Sequence, residues 1–281
     1  MSDNPNISLS IAAVCYQTQA RELRELFESI LDAVEKLCDQ FDYEFLAVYL
    51  IDNSENEHLS LDSLADSQPR AKALNVELRL LHGHGNNGYG SGHNRILRSL
   101  ATYHLMLNSD IVLGENSLVT GITFLENNAD TCIVSPNARD KNGNKQYLCK
   151  RYPSVLTFLL RGFAPRFLKG LFSLRLARYE MHDLSEDEPT STIPIASGCF
   201  MLCRSDALVA ADGFDEGYFL YFEDFDLSLR LADHGKIAYV PAVRIVHGGG
   251  HAARKGFAHI KMFTRSGIRF FNRHGWRWVG R

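Results

Sequence analysis

Through the first 110 positions, short apolar blocks alternate with apolar residues at helical intervals. Ile7 to Cys15 is a β-rich apolar run, and Leu23, Leu26, Phe27, Ile30, Leu31, Val34 and Leu37 then recur along one helix face. Phe45 to Ile51 is a continuous apolar stretch of strand length, stopped by Asp52-Asn53-Ser54, and Val76 to Leu81 is another, stopped by Gly83. The spacing predicts a helix from about Ser91, with Ile96, Leu97, Leu100 and Tyr103 on one side. It predicts a strand from His104 to Leu107, closed by Asn108-Ser109-Asp110. Apolar strands alternating with amphipathic helices imply a parallel sheet covered on both faces. Ligands of such sheets bind beyond the carboxyl ends of the strands, where Asp52 and Asp110 stand.

The second half is less regular. A strand is predicted over Pro194 to Cys203 and helices over Ser205 to Ala211 and Phe225 to Ala232, the last ending near Gly235. Two short strands, Ile237 to Val240 and Val243 to Val246, flank Pro241. No internal repeat or low-complexity tract interrupts the chain.

Composition adds bounds. The 281 residues are 45% hydrophobic and 22% charged, ordinary for a globular protein. No apolar run approaches the roughly 18 residues of a transmembrane helix, and the polar start, Met1 to Ser10, lacks the pattern of a secretory leader. Six cysteines without a CxxC pair read as reduced, buried thiols, so a cytoplasmic location is expected. The net charge of −3 hides an asymmetry: from His234 onward there are ten Lys or Arg and no acid. Residues 150–178 hold seven more Lys or Arg, again with no acid, among many apolar groups. A basic tail on an acidic body suits a polyanionic partner, phospholipid before nucleic acid, because no nucleic-acid-binding motif accompanies the charge.

Four stretches could carry chemistry. Gly83-His-Gly85-Asn-Asn-Gly88 is a literal GxGxxG after a strand and before a helix, with Asp110 further on. It reads as a dinucleotide fingerprint, a structural turn, or a loop approached by another nucleotide. Asn108-Ser-Asp110 ends a buried strand, and a carboxylate there is a helix cap, a turn former or a ligand for a divalent cation. Asp215, Glu216, Glu223, Asp224 and Asp226 are interleaved with Phe and Tyr, unlike a solvated face, and Asp224 and Asp226 lie near a helix start. Capping is one reading; general-base chemistry is the other, and it needs apolar neighbours to raise a carboxylate pKa that the helix dipole lowers. His247 precedes a flexible Gly run and suits a metal ligand or a structural role.

In order along the chain, Ile-Asp52-Asn53-Ser54, Asn87-Gly88-Tyr-Gly-Ser-Gly92-His-Asn94, Leu-Asn108-Ser-Asp110, Ser197-Gly198-Cys-Phe-Met-Leu, Gly213-Phe-Asp-Glu216, Tyr221-Phe-Glu223-Asp224-Phe-Asp226 with Arg230, and His247 together resemble the family 2 glycosyltransferases. These are inverting enzymes of the GT-A fold, and the likeness is strongest to their rhamnosyltransferase-like branch. The resemblance runs from Ile7 to about His247. It implies an α/β fold with a Rossmann-like, mostly parallel sheet and helices on both faces. The expected division is a GT-A domain over 1–246, with a nucleotide-sugar half 1–110 and an acceptor and catalytic half 111–246, then a basic helical extension over 247–281.

The resemblance further implies that Asp224, beside Glu223, is the catalytic base. Asp110 and His247 would hold a divalent Mg or Mn ion, with His251 competing for the same place. Tyr16, Asp52, Asn53, Asn87, Gly88, Asn94, Asn108, Gly198 and Arg230 would surround the nucleotide-sugar. Two departures stand out: Tyr16 is followed by Gln17 where the family usually has Asn, and the DxD-like element begins with the neutral Asn108. The expected reaction moves a sugar, with rhamnose as one candidate, from a nucleoside-diphosphate donor to a saccharide or undecaprenyl-linked acceptor in surface-polysaccharide synthesis. The competing readings are an NAD(P)-dependent oxidoreductase and a non-catalytic sugar-nucleotide- or lipid-binding protein. In the tail, Lys261, Arg265, Arg269, Arg273, Arg277 and Arg281 recur every four residues. They are read either as a helix packed on the body or as one lying on the inner face of an anionic membrane.

Overall fold

All seven apolar residues read as a helix face between Leu23 and Leu37 are buried on α1 (Ala20–Cys38), which packs on the sheet behind β1 (Asn6–Cys15). The computed structural model describes residues 5–56, 59–248 and 257–279. After α1 come β2 (Asp42–Asp52), α2 (Gln68–Ala73), β3 (Glu77–Leu81), α3 (Tyr89–Asn94), β4 (Tyr103–Asn108), β5 (Ile111–Leu113) and α4 (Ser117–Asn127). There follow β6 (Thr131–Arg139), β7 (Lys145–Gln146), three short helices α5 (Val155–Phe163), α6 (Arg166–Leu171) and α7 (Ser173–Tyr179), then β8 (Phe200–Arg204) and α8 (Ser205–Ala210). The chain closes with α9 (Glu223–Leu231), β9 (Lys236–His247) and α10 (Phe257–His274).

One sheet runs β3-β2-β1-β4-β8-β6-β9-β5, with β7 attached to β6. The strands β3, β2, β1 and β4 are parallel; β8 enters antiparallel between β4 and β6, and β9 pairs parallel with β6 and antiparallel with β5. The register sets Cys15 beside Asp52 and Val14 beside Asn108, so β1, β2 and β4 end along one edge. Helices α1 and α4 bury one face of the sheet, and α3, α8 and α9 help bury the other.

The structure departs from the sequence reading at several elements. The helix expected from Ser91 is only the six-residue α3, followed by a single 3-10 turn at Leu97–Ser99, and Tyr103 opens β4 instead of facing a helix. Two glycines inside α3 weaken it, and the Asn94 side chain is drawn away to bond Phe214. The strand expected from Pro194 begins only at Phe200. The two strands around Pro241 are one, β9, whose pairing with β6 skips from Val240 to Arg244; a bulge accommodates the missing proline N–H. The helix expected from Phe225 begins at Glu223.

The basic stripe of the tail does not stay together on one helix surface. Arg269 and Arg273 turn onto Asp215, at 2.8 and 2.9 Å, and Arg277 lies beyond the end of α10, over the Tyr152 ring at 3.8 Å. Arg281 lies outside the described residues.

Gly88 starts α3 with φ 99°, and a Cβ there would collide with the Phe219 backbone. The Gly88→Ala variant should therefore lose about 2–4 kcal/mol of stability, from left-handed strain plus overpacking. Denaturant unfolding checks this, and an unchanged midpoint would contradict the tight seating of the loop.

Candidate active site

Tyr221 and Phe222 both adopt left-handed backbone, with φ 71° and 67°, at a cost of about 1–2 kcal/mol each for bulky residues. Aromatic packing holds this turn: the Phe222 ring meets Phe158 at 4.8 Å, Phe263 at 5.1 Å and Phe270 at 5.5 Å. Helix α9 starts from Phe222, so Glu223 and Asp224 occupy its first turn.

Two backbone N–H groups orient Asp224. Gly198 donates to Oδ2 and Phe225 to Oδ1, each at 2.9 Å. A Cβ on Gly198 would stand 3.1 Å from the Asp224 Cβ, so glycine lets that loop lie against the carboxylate. The Tyr89 hydroxyl donates to the Gly198 carbonyl at 2.6 Å. Burial pushes the Tyr89 phenol pKa well up, and Glu223, Asp224 and Asp110 each add to the rise. Gly198 thus bonds both the phenol and the Asp224 carboxylate, which brings the two side chains to one loop. Cys199 lies there too: burial, with added repulsion from Asp110 and Asp224, pushes its thiol up to about 12.

Glu223 is buried, and one of its carboxyl oxygens has no hydrogen-bond partner. Burial first, and the charge of Asp224 second, push its pKa up to about 8. Asp224 is also raised by burial, but the Gly198 and Phe225 N–H groups oppose the rise. At neutral pH Glu223 therefore keeps its proton, and the two N–H groups favour a negative charge at Asp224 over one at Glu223.

Asp110 follows β4, and His247 ends β9 directly opposite Ile111. The His247 Nε2 lies 3.5 Å from Asp110 Oδ1. Gln146 sets the imidazole: its amide N–H₂ donates to the His247 carbonyl at 3.2 Å, leaving its oxygen to accept from Nδ1–H at 2.6 Å. His247 Nε2 and a carboxylate consequently face one another, a mixed nitrogen and oxygen donor pair that a divalent ion such as Mn²⁺ accepts. Among the described residues no group of three His, Cys, Asp or Glu side chains could hold a metal, so other coordination positions would fall to substrate and water. His251 lies outside the described residues.

At the ends of β1 and β2, the buried Asp52 carboxylate accepts from Ser54 N–H at 2.9 Å and Leu59 N–H at 3.1 Å. Asn53 bonds the His84 ring and the Gly88 carbonyl, each at 2.9 Å, which ties the glycine loop to β2. Asn87 donates to the His84 carbonyl within that loop, and Tyr16 is exposed beside Glu55. The Asn108 N–H donates to the Cys199 carbonyl at 3.0 Å, joining β4 to the Gly198 loop.

Two expected donor contacts are otherwise occupied. Asn94 spends its amide on Phe214 N–H, Phe214 C=O and Glu216, clamping the Gly213–Glu216 turn. Arg230 bonds Asp226 and the Ala211 carbonyl from a different face of α9. Both line a polar hollow whose walls include neither Asp110 nor Asp224. The residues that sequence reasoning left without a role are Tyr89, a phenol set between glycines, and Gln146, on a two-residue strand that carries no periodic signal.

No family model matches the chain. It is 27% identical over 197 residues to the rhamnosyltransferase WbbL of Escherichia coli (strain K12), covering 63% of this chain and 69% of that protein. It is 28% identical over 230 residues to the N-acetylglucosaminyl-diphospho-decaprenol L-rhamnosyltransferase of Mycobacterium tuberculosis (strain CDC 1551 / Oshkosh), covering 75% and 73%. The crystal structure of GalNAc-T7 with UDP, GalNAc and Mn²⁺ superposes with TM-score 0.62 at 16% identity, over 95% of this chain and about half, 48%, of that one. The chain has the GT-A fold and is a glycosyltransferase, similar in sequence to rhamnosyltransferases. The oxidoreductase reading of the glycine cluster is not favoured. In this glycosyltransferase the cluster is a loop held by Asn53 and closed over by Phe219.

The raised pKa of Glu223 has a stability consequence. The stabilisation from its protonated form is complete below the ordinary value near 4.5 and is lost as pH climbs through about 8. The Glu223→Gln variant removes this loss, so between pH 5 and pH 9 its melting temperature should fall less than that of the parent. Thermal denaturation across that range checks the sign, and parallel curves would refute it.

Proposed function

We propose that this glycosyltransferase moves a sugar, in one inverting displacement, from a nucleoside-diphosphate donor to a saccharide acceptor carried on a polyprenyl lipid. The observation that carries this reading is the Gly198–Cys199 loop, which bonds Asp224 and Tyr89 on one side and Asn108, at the end of β4, on the other, with His247 against Asp110. The mycobacterial relative, named for a decaprenol-linked acceptor and an L-rhamnosyl donor group, supports the acceptor class and makes rhamnose the leading donor sugar. The structural neighbour with UDP and Mn²⁺ supports a nucleotide donor and a divalent ion.

Asp224 is the general base. Its two N–H bonds hold it in one orientation, and its partly buried position raises its affinity for the proton that the acceptor hydroxyl gives up as it attacks. Glu223, protonated, keeps a second negative charge away from that base. Asp52 and Asn53 shape the loops that receive the nucleotide, and Tyr89 holds the Gly198 loop against Asp224. Asp110 and His247 would hold the divalent ion, which when bound neutralises charge growing on the departing diphosphate.

The Asp224→Asn variant should bind donor normally and lose about 10²–10⁴-fold in transfer rate; near-normal turnover would end the assignment. In the parent enzyme, transfer should fall as pH drops through the raised Asp224 pKa. Chelation should abolish transfer and Mn²⁺ restore it, and His247→Ala should need about 10–100-fold more Mn²⁺ for half-maximal rate. A metal requirement identical to that of the parent would remove His247 from the site.

A further inference from the structure

Large apolar side chains are exposed in one part of the molecule far more than elsewhere. Among the described residues, Leu159, Phe167, Leu171, Leu174, Trp276 and Trp278 are six of the twelve exposed large hydrophobics. Phe167, Leu171 and Leu174 are 75%, 77% and 87% exposed, so they project from the surface instead of lining a groove. The four residues before Trp276 belong to α5–α7, about a hundred positions away in the chain, yet the two segments adjoin. Val155 N–H donates to the Arg277 carbonyl at 2.8 Å and Leu156 N–H to the Trp278 carbonyl at 3.1 Å, which seats the tryptophan pair on the first turn of α5. The indoles stack at 5.4 Å.

Basic groups outnumber acidic ones around this face. Residues 150–178 contain seven Lys or Arg and no acid. Arg151 and Arg161 are answered by Asp183 and Glu180, which lie beyond that stretch, while Arg178 is exposed and the sequence of α6 carries Arg166 and Lys169. A second copy packed two-fold on this face would set like charges together. Projecting apolar side chains and tryptophans on segments whose sequence is rich in Lys and Arg instead complement an anionic lipid surface. No described helix is long and apolar enough to cross a membrane, so the contact is one of lying on the surface.

We propose that α5–α7 and the Trp276–Trp278 segment form the docking face for an anionic phospholipid bilayer. The reading of a polyprenyl-linked acceptor, on which this rests, gives the docking its purpose. On its inner side the same face packs Phe158 against Phe222, the residue that starts the helix of the proposed base. The bilayer therefore sits behind the aromatic cluster that sets Asp224.

The test is sedimentation of the full chain with phosphatidylglycerol–phosphatidylcholine vesicles, beside calorimetry of UDP and dTDP binding with Mn²⁺. The parent should partition onto the anionic vesicles at low salt and lose at least tenfold in affinity at high salt. The triple variant Phe167→Glu, Leu171→Glu, Leu174→Glu should lose at least tenfold in vesicle affinity, with its melting temperature and nucleotide binding unchanged. Three outcomes overturn the proposal: no partitioning of the parent at low salt, equal partitioning of the variant, or a parent dimer in the absence of vesicles that the variant dissolves. Vesicle binding without nucleotide binding would instead sink the donor reading and leave the docking face standing.

Discussion

Asp226 is a carboxylate shut off from water, and the C-terminal part of the structure is arranged to satisfy it. It accepts from Arg230 Nε at 2.8 Å and His274 Nε2 at 2.7 Å, with Arg273 at 3.3 Å. An unmatched charge in that position costs several kcal/mol, so α9 is comfortable only while the end of α10 is seated beside it. That seating brings Phe263 and Phe270 onto Phe222, and those rings hold the left-handed turn from which Glu223 and Asp224 project. The position of the proposed base is thus a tertiary product: charge neutralisation seats a helix, the helix supplies aromatic rings, and the rings impose a backbone that the local sequence would not choose.

Much of the first half was legible because its physics is periodic. A 3.6-residue repeat identified the apolar face of α1, and short apolar runs marked β1, β2 and β4. Periodicity failed at α3, where glycines needed for close packing cannot also sustain a long helix, and at β7, too short to have a period. The stripe of arginines showed a similar limit. A spacing of four residues is a helix property, but which side meets protein is decided by Asp215 and Asp226, and nothing local in the tail announces them.

The chemistry was legible as residue types and illegible as partnerships. Asp110, Asp224 and His247 stood out because carboxylates and an imidazole among apolar residues are costly without a purpose. Asn94 and Arg230 were expected at the donor from the family resemblance, yet they bond Phe214, and Ala211 and Asp226, inside the fold. A sequence does not say which backbone group answers a polar side chain. Gln146 illustrates the converse: an ordinary residue becomes consequential because its amide reads both the ring and the carbonyl of His247 and so selects one tautomer.

Cys199 has a further consequence. Sulfur lies among the carboxylates proposed for catalysis, where a reactive thiolate would be open to alkylation and to oxidants. Burial and the negative charges beside it keep the proton on sulfur far above physiological pH. Burial, aided by the carboxylates proposed for catalysis, thereby keeps this sulfur protonated and chemically silent.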